Sequence, residues 1–461
     1  MTQAAAIKHP QQTLWFEQAL LPEGWASGVR LRIESGRIAD IQTGQPARAA
    51  EARDALALPG LPNLHSHAFQ RGMAGLAEVR GASADSFWTW RELMYRFVDR
   101  MSPDDLEAIA AQAYVEMLEH GFTRVGEFHY LHHDVAGRGY ADPAEMAIRL
   151  VAAAQKTGIG LTLLPVFYAH GGFGGAPVSA AQARFVNDLN GYARLLEASG
   201  RALAVLPDAV LGVAPHSLRA VTPEQLDAVQ QLLPQGPVHI HIAEQTAEVE
   251  QCLAWSGQRP VDWLLRAQAV DARWCLVHAT HMSVAEASAM AASGAVAGLC
   301  PITEANLGDG LFPAVDYAGA GGPWGLGTDS NVRIDAAEEL RLFEYGQRLQ
   351  ARARNVLAPA TGGSTGRRLF DAAVTGGARA LGVGAGLRVG ASADLFSLDT
   401  ERPEFASRRL DAWLDAWIFA GSPMPLRHVW RAGVQWVREG RHVQAEAVAA
   451  DYRRALARIL K

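Results

Sequence analysis

The sequence predicts an α/β protein: a (β/α)8 (TIM) barrel carrying a small β-sandwich domain formed by the N- and C-terminal segments. Three observations predict it. From Leu56 onward, eight short apolar runs alternate with Ala-, Leu- and Glu-rich helical stretches, the texture of repeated strand-then-helix units. The two ends of the chain instead show short strands with Gly-containing turns. Imidazoles and carboxylates recur at the far end of the apolar runs, where barrels of this kind build their sites.

In chain order, TLWFEQALL and VRLRIESGRIADIQT, with a turn at Ser35-Gly36, read as antiparallel strands. The barrel runs follow as LALPGLPNL, FTRVGEFHY, GLTLLPVFY, AVLGVAPHS, PVHIHIAE, WCLVHAT, AVAGLCPIT and PWGLGTDS. Between them lie helical patterns such as DDLEAIAAQAYVEMLEHG. Residues 58–385 are assigned to the barrel, and 1–57 with 386–461 to the end domain. The Gly-rich AHGGFGGAP (169–177), after run three, is expected to be a mobile lid over a small anion. Gly382-x-Gly384-x-Gly386 follows a helix and lacks the GxGxxG spacing, so it reads as a turn and not a phosphate loop. LRVGASADLFSLD returns to strand texture, and VWRAGVQWVREGRHV (429–443) reads as a closing hairpin. The apolar LDAWLDAWIFAG (410–421) suits either internal packing or an interface.

Composition narrows the class. The chain has 461 residues, 49% hydrophobic and 20% charged, which is ordinary for a large apolar core. A net charge of −6 argues against nucleic acid, whose binders neutralise phosphates with basic patches. Cys252, Cys275 and Cys300 are an odd, dispersed set without CxxC, which fits a reducing, cytoplasmic location. The opening MTQAAAIKHPQQTLWF has no apolar run of signal-peptide length. No stretch reaches the roughly 18 apolar residues of a membrane span.

His65 and His67 follow run one; Glu127, His129 and Tyr130 end run two; His216 ends run four. His239, His241 and Glu244 lie on or beyond run five, His278 and His281 after run six, Asp329 after run eight. A strand-end histidine is often only a hydrogen-bonded core side chain, and an aspartate there can cap a helix. Coincidence at six of eight strands is a poorer account. Period two aims His65 and His67 the same way, and does so for His239 and His241, of which only one need be a ligand. A third histidine and an aspartate would complete three nitrogens and one oxygen around an ion, with a position left open for water. No lysine ends run four to bridge a second metal, so one metal is expected.

These motifs resemble the amidohydrolase superfamily, in its mononuclear deaminase branch. The resemblance rests on PNLHSHAFQRG, HIHIAEQ, LVHATHMS, GLGTDSN and the returning LRVGASADLFSLD, and covers essentially the whole chain. It implies one Zn2+ per chain on His65, His67, His241 and Asp329, although the donor set also suits iron or manganese. It implies Glu244, three residues past His241, as acid/base, with His278 and Asp329 as its catalytic companions and His281 structural. The chemistry implied is hydrolytic attack on a C=N carbon with loss of ammonia; a homodimer is implied as well. Gln70, Arg91 within FWTWRELMYRF, Tyr130, and His216 with Arg219 in APHSLRAV are the implied substrate contacts. Two arginines suit carboxylates, which guanidinium binds bidentately. The expected substrate is a small dicarboxylate bearing a linear amidine. The alternative is guanine or a related heterocycle, on which Trp88 or Trp90 would stack. A non-catalytic zinc barrel would need neither Glu244 nor His278.

Overall fold

The structure is a computed structural model that describes residues 11–49, 51–80, 87–421 and 426–461; the side chains of Phe87 and Trp88 lie outside that description. Four strands open the chain: β1 (Gln12–Leu21), β2 (Gly24–Glu34), β3 (Arg37–Gln42) and β4 (Ala52–Pro59). The barrel strands follow: β5 (Leu61–Ser66), β6 (Phe122–His129), β7 (Gly160–Phe167), β8 (Val210–Leu211), β9 (Ala214–Pro215), β10 (Val238–Ile242), β11 (Trp274–His278), β12 (Val296–Leu299) and β13 (Trp324–Leu326). The chain returns through β14 (Leu395–Leu398), β15 (Leu426–Arg431), β16 (Val434–Arg438) and β17 (Arg441–His442).

Both chain ends build one sheet separate from the barrel, ordered β17-β16-β15-β14-β4-β1-β2-β3. In β1, Leu14 and Phe16 are buried while Glu17 faces out, the alternation of a sheet covered on one face. β4 joins the halves: its first residues pair in parallel with β1, and Leu58 and Pro59 pair antiparallel with β14.

The barrel consists of two parallel arcs, β5-β6-β7-β8 (with β9 also on β7) and β10-β11-β12-β13. Bridges between Ser66 and Asp329, and between Val213 and Val238, close the ring. β5, β6 and β7 are buried at every position, as parallel strands under helices must be. Two runs differ from the sequence expectation. LALPGLPNL divides at Gly60, so Leu56–Pro59 belong to the end sheet; a Cβ on Gly60 would lie 2.2 Å from Thr123 Oγ1, leaving glycine as the residue that fits. AVLGVAPHS is interrupted at Gly212, where a Cβ would sit 2.6 Å from Leu164, yet its register to β7 is the same on both sides.

Leu381 plugs the base of the barrel among Leu64, Cys275, Val277, Val296 and Cys300. The 410–421 segment forms the helix Asp411–Phe419 and packs inward, with Leu414, Trp417 and Ile418 buried. Gly382, Gly386 and Gly390 adopt positive φ in turns. The chain closes on a helix, Ala445–Ile459, against Pro103–Glu119, with Lys156 Nζ 2.6 Å from Asp451. The strand texture before it masks this helix. Its buried Val448, Ala455 and Ile459, seven and four residues apart, are nonetheless a helical stripe. No helix among the described residues is long and apolar enough to cross a membrane.

Candidate active site

The chain reaches the mouth of the barrel through β5, and a hydrogen-bonded clasp sets the angle of its last residues. Asn63 donates to Thr328 Oγ1 at 2.7 Å, and its carbonyl oxygen accepts from Thr328 N–H at 3.1 Å. Thr328 donates to Asn331, which donates to Ser66 Oγ. The backbone adds bonds from Thr328 and Asp329 N–H to the His65 carbonyl and from His67 N–H to the Asp329 carbonyl, at 2.9–3.0 Å. This clasp ties the first strand to the end of the eighth. The backbone is held in left-handed conformations at Asp329 (φ +42°), Asn331 (+54°) and His278 (+67°), which cost about 1–3 kcal/mol each for residues with a Cβ.

Donor atoms of His65, His67, His241 and Asp329 converge within 4.8 Å of one another, all four residues buried, forming a His-His-His-Asp metal site. A cation fits this arrangement better than a proton network does. His67 Nδ1 is 2.7 Å from the Phe128 carbonyl, which only accepts, so Nδ1 carries the hydrogen. Its Nε2 lone pair then faces Asp329 Oδ1 at 3.1 Å, acceptor against acceptor. His65 Nε2 and His241 Nε2 lie 3.0 Å apart, where one hydrogen at most can sit. A divalent ion among three nitrogens and a carboxylate satisfies all of them. Burial pushes His65 down to about 3 and His241 well below its ordinary value, leaving both neutral. Burial opposes ionisation of Asp329, but the imidazoles of His65 and His67 against its Oδ1 and the charge of His278 hold its carboxyl well below the usual range.

Glu244 follows β10 beyond Ala243, itself at φ +50°. Its Oε1 lies 3.9 Å from His278 Nε2, which is also 3.9 Å from Asp329 Oδ2. Burial raises the Glu244 carboxyl. Burial resists charging His278, yet Glu244, Glu304 and Asp329 together hold it up to about 10. Glu304 was not singled out from the sequence. It accepts from Cys300 N–H at 3.0 Å and meets His278 Nδ1 at 3.2 Å. Its only sequence signal is a glutamate four residues past Cys300, at the start of the helix Pro301–Leu307.

Gln70, Arg91, Tyr130, His216 and Arg219 all line one pocket with His67, His241, Glu244, His278 and Asp329. Gln70 Nε2 donates to Tyr130 OH at 2.7 Å, and among the described residues its buried Oε1 has no hydrogen-bond partner. Trp90, Met94, Tyr95, Tyr168, Phe185 and Leu307 complete the wall. Arg91 Cζ sits 5.7 Å from the Tyr95 ring. Other strand-end residues stand apart from this pocket. His239 reaches the Ala380 carbonyl at 2.8 Å, one layer down the barrel. His281 meets the Asp309 carbonyl at 2.8 Å. His129 is buried, with its ring 5.6 Å from that of His132. Glu127 accepts from Ala68 N–H at 2.7 Å and Tyr114 OH at 3.2 Å behind the histidine turn. In the Gly-rich 169–177 segment, Phe173 stacks on Trp255 with centroids 5.5 Å apart.

The amidohydrolase family profile matches residues 56–435, and the chain belongs to that family. Residues 11–55 match the N-terminal domain of formimidoylglutamate deiminase HutF. A formimidoylglutamate deiminase from Pseudomonas aeruginosa is 54% identical over 453 residues, covering 97% of this chain and 99% of that one. The crystal structure of an amidohydrolase from Brucella melitensis superposes with a TM-score of 0.96 at 57% identity, covering 98% and 100% of the two chains. A zinc-bound adenosine deaminase from Xanthomonas campestris, 24% identical with TM-score 0.79 over 98% and 100% of the chains, shares the fold.

Proposed function

We propose that this chain is a formimidoylglutamate deiminase of histidine degradation. It hydrolyses N-formimidoyl-L-glutamate to N-formyl-L-glutamate and ammonia. The observation that carries the reading is the joining of Arg91 and Arg219 to Glu244 and the metal ligands in one pocket, beside 54% identity to a deiminase of that name. A neutral heterocycle such as guanine offers two guanidinium groups no negative charge; a dicarboxylate offers an anion to each.

His65, His67, His241 and Asp329 would hold the ion, which the same reading makes a single zinc in each chain of a cytoplasmic homodimer. Bound there, the ion supplies a water acidic enough to attack at neutral pH. Asp329, a carboxylate at that position, would be placed to take up a proton, and His278, steadied by Glu304 at 3.2 Å, would face negative charge growing on the reacting carbon's oxygen. As the C–N bond to the terminal nitrogen breaks, Glu244 delivers the proton that lets nitrogen leave as ammonia. Gln70 Oε1, short of a donor, accepts from the formimino N–H. Arg91, Arg219, Tyr130 and His216 hold the glutamyl end.

Purified enzyme is expected to release ammonia from N-formimidoyl-L-glutamate and none from guanine. Release from guanine alone keeps the metal chemistry and rejects the substrate; the stacking residues Trp88 and Trp90 would then merit mutation.

A further inference from the structure

A second charged crevice, of about 650 Å³, lies at the opposite end of the barrel, between its base and the end sheet. Four guanidinium groups border it, those of Arg37, Arg124, Arg388 and Arg431, against two carboxylates, Asp208 and Asp394. Asp208 is shared. It binds Arg124 Nη2 at 2.6 Å and also Arg431 Nη2. Both guanidinium groups press on the same bare backbone: a Cβ on Gly160 would lie 2.7 Å from Arg431 Nη2 and 3.1 Å from Arg124 Nε. Asp394 is engaged elsewhere, accepting from Ser392 Oγ at 2.6 Å and Ala432 N–H at 2.8 Å.

The crevice therefore carries a surplus of two positive charges, and one buried donor in it is unsatisfied. The Arg431 side chain is 7% exposed, and among the described residues its Nε–H has no acceptor. A buried donor left without an acceptor destabilises the fold until a ligand supplies one. Arg37 Nη1 donates to the Gly390 carbonyl at 2.9 Å, which fixes its head at the rim. The exposed Arg388 guanidinium forms no hydrogen bond or ion pair among the described residues. Gly382 and Gly390, both at positive φ, bring side-chain-free backbone to the edge.

We propose that this crevice binds a small doubly charged oxyanion, a phosphate or a dicarboxylate, with Arg431 Nε–H and the Arg388 guanidinium as its donors. Two surplus cations match two negative charges, and planar donors suit either oxygen arrangement. The Leu381 plug lies between this crevice and the mouth, so occupancy does not compete with the substrate. The inference does not depend on the identity of that substrate.

Calorimetric titration at constant ionic strength tests it, using intact Arg219→Ala enzyme so that the mouth is weakened as an anion site. Inorganic phosphate or succinate is expected to bind once per chain with Kd below about 1 mM, a free energy of about −4 kcal/mol. The ligand that binds tells phosphate from dicarboxylate. Arg388→Ala, a rim change that leaves the buried Arg124–Asp208–Arg431 group in place, should weaken binding about tenfold, in line with a charge-assisted hydrogen bond. Circular dichroism checks that the variant is folded. Absence of binding by both anions, or binding indifferent to Arg388→Ala, overturns the proposal.

Discussion

In the end sheet, Arg30 meets Glu51 at 2.5 Å, and Asp54 is bound by Ser397 Oγ at 2.5 Å and by Ala55 N–H at 2.8 Å. In the barrel mouth, His65 meets His241, a His67 lone pair meets Asp329, and Glu244 stands among other buried carboxyls. These contacts of the end sheet match a buried charge with an opposite charge or a donor. The mouth crowds acceptors together; left-handed φ occurs in both regions, at His278, Asp329 and Asn331 in the mouth and in the hairpin turns at Ser35, Ala432 and Glu439 of the end sheet. Crowding of this kind destabilises a fold unless a bound ion or substrate offsets it. The end sheet is thus arranged for stability and the mouth for binding.

Asp329→Ala should break this contrast most severely. It removes the shared anion at the centre of the mouth, so metal content measured by plasma mass spectrometry should fall toward zero. Ammonia release should drop by about four orders of magnitude or more, beyond the range of a lost acid/base alone. Glu244→Gln comes next: metal content stays while kcat falls about 10²- to 10⁴-fold. Full activity in that variant would remove Glu244 from the mechanism.

A subtler outcome concerns Asp309. Burial first, and then Glu244, push its carboxyl up to about 8, against an ordinary value near 4. The folded chain therefore holds this proton more tightly than the unfolded chain does. The resulting stability is complete below about pH 4 and is lost as pH rises toward 8. Asp309→Asn should flatten that part of a plot of urea midpoint against pH; an unchanged slope would place the load on other groups. The smallest effect is expected in the end sheet. Glu51→Gln should lower the unfolding midpoint slightly and leave turnover untouched, so a fall in turnover there would dissolve the comparison.

The sequence made the mouth more legible than the scaffold behind it. Period two and residue type were enough to mark His65, His67, the pair His239 and His241, and Asp329, because metal-ligating side chains are rare at successive strand ends; the family resemblance then chose His241 and Glu244. The clasp was not legible. Asn63 and Thr328 are ordinary polar residues until 265 positions of chain bring them together. Glu304 was missed because a glutamate in a first helical turn has a sufficient local reason to be there. Gly60 sits inside an apolar run, and the change of sheet it permits depends on contact with Thr123, a neighbour in space only.

The join between the two regions also has a consequence for assembly in time. Only Gly60 separates β4 from β5, and Gly60 N–H donates to the Asp394 carbonyl at 3.0 Å. Ser397, at the end of β14, holds Asp54 of β4 across 343 residues. On a ribosome, the strand leading into the metal ligands therefore waits, with one edge open, until nearly the whole chain has been made. Contacts of such separation close slowly. Folding of the end sheet and the final setting of β5 should thus be late, coupled events, and the open edge of β4 is the segment that a growing chain most needs to keep from strange partners.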